Sequence, residues 1–245
     1  MRKYFFIPLV FIITISKPLF LTANDSIVHQ VFVLIYNEKY AEAHTQIETN
    51  KTMLGPFYSD VLKIDLLWWE FVQSKQNHSA QKEFILFLEK FDHTSQNSSE
   101  LKLRQLIKNS YQIRYEFKRF NIIGAMSTRT TLKNLLDEIK ADELPFPENH
   151  LKLLGVYSAL FQYFDNLVNP FFNKSRRENR ENALAQVERY THDADIIVKT
   201  LSLYFLGRIY LNIEKEKEKG IRCFTELSNY YTHNALFKEV MVKYN

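Results

Sequence analysis

The sequence predicts an all-α protein, an α-solenoid of about five helix–turn–helix units behind an N-terminal signal peptide. Three observations lead there. Five Gly and six Pro are few for 245 residues, so long stretches run without a backbone breaker. Those stretches are filled with Leu, Ile, Lys, Glu, Gln and Ala, which lose little side-chain freedom in a helix. No two alternating apolar runs are joined by a tight-turn dipeptide, so the hairpin signal of a β-protein is missing.

The leader comes first. Arg2 and Lys3 give a positive start, Tyr4 to Ile15 is almost wholly apolar, and Leu21-Thr22-Ala23 puts a small residue at a cleavage position. That order is the layout of a secretory signal peptide. Pro8, Lys17 and Pro18 interrupt the run before it reaches the roughly 20 apolar residues a spanning helix needs. Cleavage is therefore expected over retention as an anchor, and only a retained leader would bring this chain to a membrane. No cysteine follows Ala23, which argues against lipid attachment there. No later segment reads as apolar enough to cross a bilayer. The expected location is the periplasm or cell envelope, or outside the cell, with residues 1–23 as signal peptide and 24–245 as one solenoid domain.

Of 32 Lys and Arg, three lie in the leader; against 28 Asp and Glu the remainder is near +1. Such a balance offers no basic tract for nucleic acid. Cys223 is the only cysteine, so no internal disulfide can form and burial alone must hold the fold. The seven histidines never fall four apart, the helical spacing that presents two imidazoles to one metal, so neither metal nor cofactor is expected.

Breakers at Gly55-Pro56, Pro145 with Pro147, and Pro170, and polar stretches at 76–78 and 94–99, divide the remainder. The predicted helices cover 26–36, 38–50, 57–75, 79–92, 99–119, 121–141, 148–168, 178–191, 194–213 and 216–230, with a short last one over 234–244. Ser98-Ser99-Glu100 reads as a helix start, with a serine oxygen accepting from free amides. In each proposed second helix the positions i, i+4 and i+7 share a face. They hold Ala43, Ile47, Asn50; Ala80, Phe84, Phe87; Leu132, Leu136, Ile139; Ala183, Val187, Tyr190; and Gly220, Phe224, Leu227. Four of five triplets begin with Ala or Gly, small enough to let a partner helix come close.

The last copy is the clearest. Leu206-Gly207-Arg208-Ile209-Tyr210, then Gly220, Phe224 and Leu227, resembles the packing signature of the tetratricopeptide repeat, with one extra residue in the Lys215–Lys219 turn and Thr232 where proline usually closes the motif. Asn37 to Ala43 resembles another copy, and Leu154-Gly155 a fainter one. With Trp68-Trp69 and the closing run from Leu227 to Phe237, the layout resembles exported tetratricopeptide-like proteins of Bacteroidota, at both ends more than between 95 and 190. The resemblance implies a right-handed solenoid with no catalytic residues to carry over.

Three groups are candidate sites. Phe171, Phe172, Arg176, Arg177 and Arg180, next to Phe161, Tyr163 and Phe164, are residue types enriched at binding hot spots; core packing and a solvated helix start explain them as well. Trp68 and Trp69 point about 100° apart on a helix, so they serve different neighbours, and sugar stacking is the lesser reading. Tyr190, His192, Asp193 and Asp195 could act as acid and base, but Asp193 or Asp195 more simply caps the next helix. The expected function is a non-enzymatic scaffold holding a protein or peptide partner in the groove, with carbohydrate or small-ligand binding as the alternative and a helical enzyme a distant third.

Overall fold

The computed structural model describes residues 23–74, 77–93, 95, 97–168 and 174–244, without the side chains of 23–25, 168 and 174–176. The predicted signal peptide therefore lies almost wholly outside the described residues. Eleven α-helices account for most of the described chain: α1 (Ala23–Tyr36), α2 (Tyr40–Thr49), α3 (Lys51–Gln73), α4 (His78–Lys90), α5 (Ser98–Lys118), α6 (Ile122–Ala141), α7 (Glu148–Val168), α8 (Lys174–Tyr190), α9 (Ile196–Ile209), α10 (Lys217–Tyr230) and α11 (Ala235–Tyr244). Among the described residues there is no strand.

Side-chain caps set several of the starts. Asn77, Asn121 and Asp195 accept from amides in the first turns of α4, α6 and α9. At α5 the cap is Asn97, not a serine: its Oδ1 accepts from Ser99 N at 3.0 Å and Glu100 N at 3.1 Å. An amide oxygen one residue upstream reaches the same orphan donors, so the helix starts where expected but with Asn97 as its cap. Gly55 departs further from expectation. Residues 51–54 are helical, and the break is a kink at Gly55, φ 69° and ψ 165°, a conformation L side chains rarely adopt. Pro56, which has no N–H to lose, opens the straight part of α3.

Successive helices pack as neighbouring pairs: α1 with α2, α3 with α4, α5 with α6, α7 with α8, α9 with α10, and α11 on α10. Glycines bring α9 and α10 close. A Cβ on Gly220 would sit 2.5 Å from Leu211, and one on Gly207 would sit 2.7 Å from Phe224. Ala43, Ala183, Leu206, Gly207, Tyr210, Gly220 and Phe224 are all buried. Ala80 departs from its group: it is only partly buried and borders a shallow polar groove with Tyr40, Gln73 and Glu83. Phe84, one turn on, makes the contact with α3 and α5 instead. The extra residue before Lys219 is absorbed in a π turn over Tyr210–Glu214, which ends in left-handed Lys215. A π turn takes one more residue per hydrogen bond than an α-turn, so α10 keeps its seat.

Two features were not expected. First, the ends of the chain meet. α1 packs on α9, and the turn before α11 bonds to the turn after α1. Asn234 Nδ2 donates to Tyr36 O at 2.8 Å, His233 N to Asn37 Oδ1 at 3.1 Å, and Ala235 N to Glu38 Oε1 at 2.6 Å. An array whose units touch only their sequence neighbours has no such contact. Second, the stretch Ile196–Glu214 is long and apolar enough by length and composition to cross a membrane, contrary to the sequence reading. Its burial, 61% within the fold, explains the composition: it is the helix against which α7, α8, α10 and α1 all pack.

Candidate functional site: an apolar cleft between α5, α6 and α7

The helices of the middle of the chain leave a gap. α5 supplies Ile113, Arg114 and Phe117, α6 supplies Ala125, Met126, Arg129 and Leu132, and α7 supplies Tyr157, Leu160, Phe161, Phe164 and Asp165. Phe205 of α9 forms the back. Together they surround a cleft of about 200 Å³ whose walls are almost entirely apolar. The helices diverge here because α6 approaches α7 only lightly while each packs closely on its own partner, α5 or α8.

Arg114 is the charged group of the inner wall. Its guanidinium stands over three rings, 4.5 Å from the centroid of Trp68, 4.6 Å from Tyr111 and 5.3 Å from Phe205. Face-on contacts of this kind stabilise a cation in place of water. Its Nη1 is buried and has no hydrogen-bond partner. Arg129, nearer the opening, pairs through Nη2 with Asp165 Oδ1 at 2.6 Å, while its buried Nε has no acceptor.

Behind Arg114 lies a buried acid. Asp65 of α3 accepts from Tyr111 Oη at 2.6 Å and leaves its second oxygen unpartnered. Removal from water raises its pKa to about 6, although Tyr111 and the nearby Arg114 pull the other way. The hydroxyls of Tyr36, Tyr111 and Tyr157 around it are pushed far up by burial, so they remain neutral donors. The arrangement is a buried polar cluster backing an apolar cleft.

The residues singled out in the sequence fall elsewhere or serve the fold. Phe171 and Phe172 lie outside the described residues, as does the Arg176 side chain. Arg177 is exposed and pairs with Glu181 at 2.8 Å; Arg180 faces Glu214 at 3.6 Å, the carboxylate that also accepts from Tyr163 Oη. Trp68 and Trp69 are both buried. Trp68 packs on Phe71, Phe84 and Tyr111, and Trp69 on Tyr36, Tyr204 and Phe237, so the pair faces two different neighbourhoods. Asp195 caps α9 through Ile197 N and Val198 N, Asp193 pairs with Lys152 at 3.1 Å, and His192 is exposed. Tyr190 lies against Gly155, where a Cβ would collide with its ring. Of the sequence candidates, Phe161 and Phe164 do line the cleft. Arg114, Arg129, Asp165 and Ile113 were not singled out, because their meeting depends on how α5, α6 and α7 splay, which no local pattern encodes.

Comparison of the chain with family models, with characterised proteins and with solved structures finds no match.

Proposed function

We propose that this protein is a non-enzymatic binding scaffold of the cell envelope, and that the cleft between α5, α6 and α7 seats an apolar side chain of a protein or peptide partner. On this reading the helical pairs form a tetratricopeptide-like right-handed array carried out of the cell by the leader. The observation behind it is the cleft itself, an open apolar cavity in a chain whose tryptophans are all buried. Its size favours a side-chain anchor over a whole small ligand. About 200 Å³ falls below the roughly 300–1,000 Å³ of sites that enclose drug-sized molecules. Sugar binding loses its main support with Trp68 and Trp69 buried.

The test places a photo-crosslinking phenylalanine analogue at Phe164, which is part of the wall and 37% exposed. Irradiation in cells should give one dominant protein adduct. The same analogue at exposed Leu86, on α4, is the control. Identical adduct patterns at the two positions, or none at Phe164, would remove the proposal.

A further inference from the structure

Beside the cleft the α5–α6 turn carries a different kind of surface. Phe120 and Ile123 are 87% and 86% exposed, and Ile122, Phe117 and Met126 are also exposed. The positive φ of Phe120, 56°, turns the chain here, and Asn121 caps α6 immediately after, so the apolar side chains stand on a short, capped tip. Exposed apolar groups on such a scale mark a surface that is covered in use.

The exposed charges on the turn itself, Lys118 and Arg119, have one sign. From Phe117 to Leu136 the chain has no Asp or Glu, while Lys118, Arg119, Arg129 and Lys133 contribute four cations. The nearest carboxylate, Glu116, is buried under the turn, held by Gln112 Nε2 at 2.5 Å and Asn121 Nδ2 at 2.6 Å. Arg129 is neutralised by Asp165. Among the described residues Lys118, Arg119 and Lys133 pair with no carboxylate; Lys118 lies over Phe71 and Arg119 donates to Tyr115 Oη.

We infer that the α5–α6 tip docks on an anionic lipid surface, with Phe120, Ile122 and Ile123 entering the headgroup boundary. Two properties favour lipid over a protein partner. The tip is convex and its largest side chains are almost free of neighbours, whereas protein hot spots are seated in fully desolvated pockets. Apolar residues flanked by unpaired Lys and Arg are the composition that binds membrane interfaces, where each cation adds to attraction by acidic headgroups. The inference does not rest on the reading of the cleft, although Phe117 and Met126 border both surfaces.

A probe at the tip itself tests the idea without interference from the apolar leader. The full chain with Ile123→Cys is labelled with an environment-sensitive fluorophore and mixed with phosphatidylglycerol/phosphatidylcholine vesicles. Cys223 is buried and its thiol pushed up to about 11, so it stays unlabelled at neutral pH. Expected is a blue shift with the anionic vesicles, little with phosphatidylcholine alone, and a roughly thirtyfold weaker titration in Lys118→Gln/Arg119→Gln. The same label at Glu42→Cys on α2 should not shift. No shift at residue 123, equal shifts with neutral vesicles, or equal shifts at residue 42 would each overturn the inference. So would a shift that grows with protein concentration in the absence of vesicles, which would mean that a second copy covers the tip.

Discussion

The seam where the chain ends meet and the cleft in its middle are built from the same ingredients and reach opposite states. At the seam Tyr36, Trp69, Tyr204, Tyr231 and Phe237 come from five different helices or turns and fill the space between them, with ring centroids 5.2 to 6.4 Å apart. Three hydrogen bonds from residues 233–235 to the turn after α1 then fix the register. In the middle, Phe117, Phe161, Phe164 and Phe205 are equally aromatic but leave a cavity, and Phe120 and Ile123 stand in solvent. Composition does not distinguish the two. What differs is whether another helix is available to cover each face. α9 and α11 arrive from the far end of the chain to cover α1 and α3, and among the described residues nothing arrives to cover the α5–α6 turn. The stability of the fold should therefore reside in the seam and its binding capacity in the middle.

The largest expected effect is at the seam. Trp69→Ala removes a ring that is 2% exposed and touches α1, α9 and α11. It should cost about 3–5 kcal/mol in denaturant unfolding, the range for large aromatics lost from packed cores. A loss below about 1 kcal/mol would mean that the seam is not cooperative with the rest.

Asp65 lies between the two regions and predicts a gain. Its folded pKa of about 6 exceeds the ordinary value of 3.8. The folded protein therefore holds this proton more tightly than the unfolded chain does. The stabilising contribution of the protonated acid is complete below about pH 4 and is lost as pH rises through 6. The difference is on the order of 3 kcal/mol. Asp65→Asn, which can still accept from Tyr111, should raise stability at pH 7.5 and flatten this dependence between pH 4 and 7. Reduced stability at pH 7.5 would instead make ionised Asp65 the electrostatic partner of Arg114.

A smaller loss is expected from Asn234→Ala. It deletes the bond to Tyr36 O and the cap on Phe237 N, at 2.8 and 3.0 Å. A cost of about 2 kcal/mol follows from one buried carbonyl left unsatisfied and one lost helix cap. If the midpoint does not move, the end-to-end closure is incidental.

How much of this was legible follows the same division. Helix positions were readable because breakers and caps are local: every predicted helix is present, most within a few residues. Gly207 and Gly220 were readable because the close approach they allow joins neighbours in sequence. The seam was not readable. Asn234 meets Tyr36 across almost the whole chain, and no periodicity records a contact at that separation. Its residues belong to the stretches that most resemble a known repeat, yet the resemblance concerns packing within a pair and is silent on closure. The cleft was readable only in Phe161 and Phe164. Arg114 looked like one more charged residue on an amphipathic helix, because its aromatic surroundings come from α3 and α9 as well as from its own helix. Phe120, Ile122 and Ile123 do carry a local signal, an apolar cluster at a helix junction flanked by Lys118 and Arg119.

The smallest expected effect bears most directly on the comparison. Phe120→Ser/Ile123→Ser replaces two large apolar residues, a change that would disable a core. At the tip it should alter unfolding stability by no more than about 0.5 kcal/mol, as for surface positions without packing partners. The two side chains are 87% and 86% exposed in the folded protein, so folding takes almost none of their surface from water and substitution has little to remove. The measurement has a sign worth attention: a slight gain is also consistent, since exposed apolar groups contribute nothing to the fold and serine is better hydrated. A loss of 2 kcal/mol or more would place Phe120 and Ile123 against other parts of the chain, and the middle region would then be a second seam instead of an open face.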